Sequence, residues 1–249
     1  EDLDAVVHLA AVASGTDAQR DPFAAWRVNT LGTAMLAEAL AHAGSEKGRE
    51  PVLLLASTAE VYGDAPPTPR VETDPVRPCS PYAASKLGAE VASLEVHRRT
   101  GLRVIVARAF PHVGAGQDDR FAVPAFARRI AEAKRAGVSE VRVGNLEPVR
   151  DYLHVSDVAA AYCELLAKGE AGEVYNVASE RGIRLGDLLA LLAKIAGHPV
   201  TPKPDPDLMR PADIAYLVGD STKLRQATGW EPRVPLSEAL AEVLRAQAD

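Results

Sequence analysis

The stretch SPYAASK at residues 80–86 sets Tyr82 and Lys86 four positions apart. On a helix such a pair shares one face, about one turn apart. A tyrosine hydroxyl alone is a poor acid–base group, with a free pKa of about 10. A nearby ammonium favours the phenolate and lowers that value. The pair can then exchange a proton with a carbonyl or alcohol oxygen during hydride transfer. The same spacing also describes a surface helix with a solvated lysine, so the context decides. ASTAEVYGD at 56–64 follows an apolar run and places Ser57, Thr58 and Glu60 at the end of a predicted strand. A hydroxyl there can hydrogen-bond a substrate oxygen, and a carboxylate can act as a base. Ser57 and Thr58 can equally cap a turn.

The elements that must position these groups alternate in type. DAVVHLA (4–10), PVLLLAS (51–57) and LRVIVARAF (102–110) are apolar runs without polar alternation, which predicts strands buried on both faces. Between them, 21–44 and 80–101 read as helices, started by Asp21-Pro22 and Ser80-Pro81 and ended by Gly44 and Gly101. Strand–helix–strand repetition implies right-handed crossovers and a parallel, doubly wound α/β sheet. Ligands of such sheets sit at the carboxyl edge. Further on, helices are predicted at 123–136, 156–168, 185–196 and 236–247, and short strands at 140–145 and 173–179. The proline-rich segment 197–213 reads as a loop.

Composition narrows the class. The chain has 249 residues, 47% of them hydrophobic and 25% charged, enough to bury a sizeable core. A formal net charge of -6 gives no electrostatic reason to expect nucleic acid as a partner. Cys79 and Cys163 stand far apart and in no metal-ligand spacing, so a reducing, cytoplasmic setting is expected and a metal site is not. No apolar run approaches membrane-spanning length. His8 lies in a predicted strand without neighbouring ligand types, and Trp26 and Trp230 read as packing residues.

Taken in order, Thr58 four residues before Tyr62-Gly63, then Tyr82 and Lys86, preceded by VVHLAA (6–11) and NTLGT (29–33), resemble the extended short-chain dehydrogenase/reductase family, the NAD-dependent epimerases and dehydratases. The second half, with VGNLEPVRDYLHVSDVAAAY (143–162) and LMRPADIAYLVGD (208–220), looks most like the reductases of that family that form GDP-6-deoxy-D-mannose. The resemblance implies a Rossmann-like sheet over 1–110, to which 150–179 returns, and a smaller substrate-binding lobe that is mainly 111–249. It implies a nicotinamide cofactor, NADP or NAD, against Leu9, Ala10, Ala11, Asn29, Ser57, Tyr82, Lys86, Phe110 and His112. It implies a GDP-sugar substrate against Thr58, Glu60, Tyr82, Pro111, Asn145, Arg150, Arg210 and Asp213. Arg150 and Arg210 would hold the diphosphate, since a guanidinium matches phosphate oxygens. An ion pair with Asp151 is the plainer role for Arg150, a solvated loop position for Arg210, and a turn for Gly144-Asn145. The resemblance further suggests a homodimer through 21–44 and 80–101, whose apolar stripes also suit the sheet-facing core.

Two positions depart from the reductase pattern. Pro111 stands where an asparagine is usual and offers no amide, and Asp213 replaces a longer glutamate. No G-x-G-x-x-G occurs in the sequence; GAGQDD at 114–119 has Asp119 at the third glycine and falls in the substrate half. DAVVHLAA resembles a later strand of the family, so two β–α units, on the order of 60 residues, are expected to lie outside this sequence. Three functions stay open at this level. The first is reduction of the C4 ketone of a GDP-4-keto-6-deoxy-hexose by NAD(P)H, with Thr58, Tyr82 and Lys86 catalytic. The second is 4,6-dehydration of GDP-mannose, with Glu60 as base, or a related epimerisation. The third is a non-catalytic chain that binds nucleotide-sugar or a partner.

Overall fold

The computed structural model describes residues 3–47, 51–209 and 214–247. In chain order, β1 (Ala5–His8) leads to α1 (Gly15–Arg20), α2 (Pro22–Ala25), a π-helical turn at Trp26–Leu31 and α3 (Gly32–Lys47). β2 (Val52–Thr58) ends in a 3-10 turn at Ala59–Tyr62, and α4 (Pro81–Thr100) precedes β3 (Arg103–Ala109) and β4 (His112–Val113). Then come α5 (Ala122–Ala136), β5 (Glu140–Val143), β6 (Val149–Asp151), β7 (Leu153–His154) and α6 (Val155–Lys168). β8 (Val174–Val177), β9 (Gly182–Arg184), α7 (Leu185–Ile195), β10 (Thr201–Pro204), β11 (Tyr216–Leu217), α8 (Thr222–Thr228) and α9 (Leu236–Ala246) complete the chain.

Among the described residues the main sheet is four-stranded and parallel, in the order β1-β2-β3-β8. Its residues alternate between two cores, as the period of two in a strand requires. Val52 and Leu54 pack toward α6 and α8, with Leu165 and Leu224. Leu53 and Leu55 pack toward α3 and α4, with Leu40, Ala89 and Val96. Each fully buried leucine contributes about 1.5–3 kcal/mol. A third core joins α5, α7 and α9 through Phe126, Ile130, Leu188, Leu192 and Leu240. The chain returns to the main sheet with α6 and β8, and again with Leu217, Leu224 and Trp230.

Helix α4 follows its sequence signals. Ser80 accepts from Ala83 N at 3.1 Å, Pro81 occupies the first turn, and Gly101 closes the helix at φ 81°. Three expectations change. The helix read at 21–44 is interrupted by the π turn, which brings Asn29 inward until it is 1% exposed. The strand read at 4–10 is confined to Ala5–His8, at one end of the sheet order among the described residues, with Val7 38% exposed. The loop read at 197–213 contains β10, paired in parallel with β5. Its prolines are tolerated because it is an edge strand with exposed residues.

Candidate active site

β2 and β3 run in register, Ser57 opposite Arg108 and Thr58 opposite Ala109, so both strands deliver their ends to one edge. There Thr58 caps the 3-10 turn by accepting from Glu60 N at 3.2 Å. The turn closes at Gly63, whose φ is 65° and whose added Cβ would stand 1.8 Å from the Arg77 carbonyl oxygen. Glycine is therefore required at the second position of the Tyr62-Gly63 pair. The first turn of α4 faces this edge, and both Thr58 and Glu60 act on the Tyr82 phenol electrostatically. The structure thus brings Thr58, Glu60 and Tyr82 together, with Lys86 one turn further along α4 and only 3% exposed.

The electrostatics differ from what the Tyr82–Lys86 spacing alone suggests. Burial raises the Tyr82 phenol well above its usual value, the Glu60 charge adds to this, and the Thr58 hydrogen bond opposes it. Lys86 is itself pulled down to about 8 by burial, against the attraction of Glu90. Burial and the Glu60 charge thus both favour the protonated phenol at Tyr82. His8, which hydrogen-bonds Thr33 Oγ1 at 3.0 Å, is lowered by burial and by the Lys86 charge. Tyr162, on α6 nearby, is pushed to about 12 by burial.

The segment after β1 lies on the same side of the sheet. Val12 is clamped by Asn29, with Val12 N donating to Oδ1 at 2.7 Å and Nδ2 donating to Val12 O at 3.2 Å. Asn29 Nδ2 also donates to Ser85 Oγ at 2.9 Å, and Thr30 Oγ1 donates to Ser85 O at 2.7 Å. Asn29 thus ties this segment to α4 through its amide and does not present that amide to a ligand. The exposed Leu9 and Ala10 and the half-buried Ala11 precede the clamp. Two alanines leave the backbone accessible, and the Lys86 ammonium is a donor suited to ribose hydroxyls. These residues fit the nicotinamide end of a dinucleotide.

Other expected ligands have different duties. Ser57 lies on the Leu53–Leu55 face of β2 and donates its hydroxyl to Glu90, so it points away from the crevice. Phe110 is fully buried and stacks on Tyr62 with ring centroids 6.5 Å apart, which makes its side chain a core element. His112 is half-buried, its Nδ1 3.0 Å from Phe110 O, and Pro111 O accepts from Leu153 N at 2.9 Å. Asn145 is exposed and its Oδ1 accepts from Glu147 N at 3.1 Å, the turn alternative. Arg150, half-buried on β6, donates to Val149 O at 2.9 Å. Its neighbour Asp151 does not face it as an ion pair; Asp151 accepts instead from Ser179 N, Glu180 N and Gly219 N. Arg210 and Asp213 lie outside the described residues. Trp230 packs in the core and donates Nε1 to Asp157 O.

The sequence reading does not single out Glu90 or Arg108, which form a buried ion pair beside the site. The available signal was a charge near the end of an apolar strand run, since a charge there requires a partner. Burial opposes the Arg108 charge, but Glu90 outweighs it and holds the guanidinium above its ordinary value. Among the described residues no helix is long and apolar enough to cross a membrane.

Comparison with known proteins agrees with this arrangement. A family model described as GDP-mannose 4,6 dehydratase matches residues 1–243. A GDP-6-deoxy-D-mannose reductase of Pseudomonas aeruginosa is 38% identical over 97% of this chain and 79% of its own length. A dTDP-glucose 4,6-dehydratase of Streptomyces niveus is 32% identical over 97% and 69%. The structure of RMD from Pseudomonas aeruginosa complexed with NADPH superimposes with a TM-score of 0.89 at 37% identity, covering 98% of this chain and 81% of that one. A Thermus thermophilus UDP-glucose 4-epimerase in complex with NAD gives 0.84 at 32% identity, covering 98% and 78%. With the Thr58–Tyr82–Lys86 arrangement on this parallel sheet, these matches settle the kinship: the chain belongs to the GDP-mannose 4,6 dehydratase family of nucleotide-sugar enzymes.

Proposed function

We propose that the protein catalyses NAD(P)H-dependent reduction of the C4 ketone of a GDP-4-keto-6-deoxy-hexose, yielding GDP-6-deoxy-D-mannose. One observation carries this reading. Thr58 at the end of β2 and Tyr82 in the first turn of α4 meet at one edge of the parallel sheet, with the buried Lys86 one turn along the same helix face, the arrangement that carbonyl reduction with proton delivery needs. A bound reduced nicotinamide supplies the hydride to C4. Thr58 orients the carbonyl oxygen, Tyr82 gives its proton to that oxygen as the alkoxide forms, and Lys86 compensates the phenolate left behind and holds the ribose. The relative named GDP-6-deoxy-D-mannose reductase supports the choice of sugar and base. Arg150 and Arg210 are assigned to the diphosphate, and Asp213 and Asn145 to the sugar or base of the substrate.

We assign residues 1–110, with 150–179, to the dinucleotide-binding part and mainly 111–249 to the substrate lobe. The enzyme is proposed to be a homodimer through the helices of 21–44 and 80–101. Cys79 and Cys163 are both free and exposed, which suits a reducing cytoplasm.

Glu60 favours a second reading. It stands in the 3-10 turn after Thr58, at the end of β2, where a carboxylate could serve as the base of a 4,6-dehydratase. Products separate the two: the dehydratase regenerates its cofactor from GDP-mannose, whereas the reductase consumes NAD(P)H with the keto-sugar. For the reductase, Tyr82→Phe lowers kcat by about 10³-fold and leaves GDP binding, measured by titration calorimetry, unchanged. Undiminished turnover by that variant rejects the assignment.

A further inference from the structure

Glu90 lies one turn beyond Lys86 and two beyond Tyr82 on the same face of α4, and it is 2% exposed. A carboxylate at that depth must be paired. Arg108 donates to it from Nε at 3.1 Å and from Nη2 at 2.8 Å, and Ser57 Oγ donates as well. Ser57 is the residue before Thr58, and Arg108 is its register partner on β3. The Arg108 guanidinium rests 4.9 Å from the Tyr62 ring centroid, and the Tyr62 hydroxyl donates to Asn176 Oδ1 on β8 at 2.7 Å. One polar chain thus joins α4, β2, β3 and β8 at the level of the site. Stability does not account for it, because well-packed apolar residues in place of a buried ion pair are often equally or more stable.

We infer that Glu90 is a positioning residue for the reaction: through Ser57 it fixes the end of β2 that carries Thr58 against the helix that carries Tyr82 and Lys86, one turn beyond Lys86 on the same helix face. The inference rests on the assignment of Thr58, Tyr82 and Lys86 proposed above. The charged and titratable groups around Lys86 are His8 from β1, Tyr82 and Glu90 from α4, and Arg108 from β3 behind Glu90. Glu60 and Tyr162 act on Tyr82. Of these, Glu90 is the one that opposes burial and keeps the proton on Lys86.

The test is the pH dependence of kcat and KM for keto-sugar reduction in four variants: Glu90→Gln, Ser57→Ala, the double variant Glu90→Gln with Arg108→Met, and Tyr82→Phe as reference. Glu90→Gln should lower kcat about tenfold or more with KM within about twofold. Its alkaline limb should move about one unit to lower pH, because the charge holding the Lys86 proton is gone. Ser57→Ala should lower kcat at constant KM and leave the limb in place. The double variant leaves no unpaired buried charge, so it should melt cooperatively like the parent while kcat stays low. It and Ser57→Ala decide the matter if Glu90→Gln alone does not fold. Parental kcat in the double variant and in Ser57→Ala, with Tyr82→Phe inactive, overturns the role of Glu90 and leaves the site assignment standing. A fully active Tyr82→Phe overturns both.

Discussion

Lys86 holds its ammonium where only 3% of the residue meets solvent, and burial lowers its pKa to about 8. A base whose folded pKa lies below its unfolded value of 10.5 opposes folding wherever the unfolded chain holds the proton more firmly. The cost is therefore fully present below about 8 and is relieved as pH rises from there toward 10.5. Lys86→Met keeps the length and removes the charge. It should raise stability in urea at pH 7 by up to about 3 kcal/mol, the cost of holding the ammonium at a pKa of about 8, while abolishing turnover. The gain should shrink when the measurement is repeated above pH 9. A variant no more stable than the parent at pH 7 would show that the site solvates its lysine. A stabilising loss of function is the expected signature of a residue kept for chemistry.

Between β2 and α4 the 3-10 turn decides where Thr58 and Glu60 point, and Gly63 decides the turn. Two glycines separate strain from collision. Gly101 has φ 81° with nothing near an added Cβ, so Gly101→Ala should cost only about 1–2 kcal/mol. Gly63→Ala adds a clash with the Arg77 carbonyl, so it should cost about 3 kcal/mol or more and lower kcat as Thr58 shifts. Equal melting temperatures for the two would contradict that account. These elements were legible in the sequence because their signals are local. Apolar runs mark β2 and β3, and Ser80-Pro81 and Gly101 frame α4. The π turn was not legible, since the alanine-rich helix around it keeps a helical apolar pattern whichever way the turn winds. β10 was hidden by its prolines, which read as loop until the edge position excuses them. Thr58, Tyr82 and Lys86 stood out only as an ordered set of motifs, since each alone also suits a turn or a surface helix. The roles of Ser57, Asn29 and Phe110 could not be read, because the face a side chain takes in a parallel sheet depends on helices far away in sequence.

At the scale of the whole molecule, the outer face of α3 and α4 bears on the proposed homodimer. Trp26, Leu31, Met35 and Val91 stay 43%, 54%, 65% and 59% exposed along one stripe. A groove of about 580 Å³ runs through it, away from Tyr82, lined by Trp26, Ala34, Leu87, Gly88, Val91 and Ala92 among others. Gly88 allows the close approach, since a Cβ there would stand 2.8 Å from Thr30 Oγ1 and 3.0 Å from the Trp26 ring. Contiguous apolar surface of this kind on a soluble chain marks an interface. A two-fold pairing of this face with itself would set four helices together, with the Glu38–Arg99–Glu95 cluster at its border. An interface able to persist in solution buries on the order of 1,200 Å² or more. The parent should therefore scatter light at twice the chain mass at tens of micromolar. Val91→Glu places a carboxylate at the centre of the apolar stripe, where a two-fold axis would set it against its own copy, and should give monomers with an unchanged circular dichroism spectrum. Because α4 carries Tyr82 and Lys86 on its inner face and Val91 on its outer one, the monomer should keep its nucleotide-sugar affinity and lose stability. A parent that is monomeric under these conditions would mean that the stripe is covered by something other than a second copy.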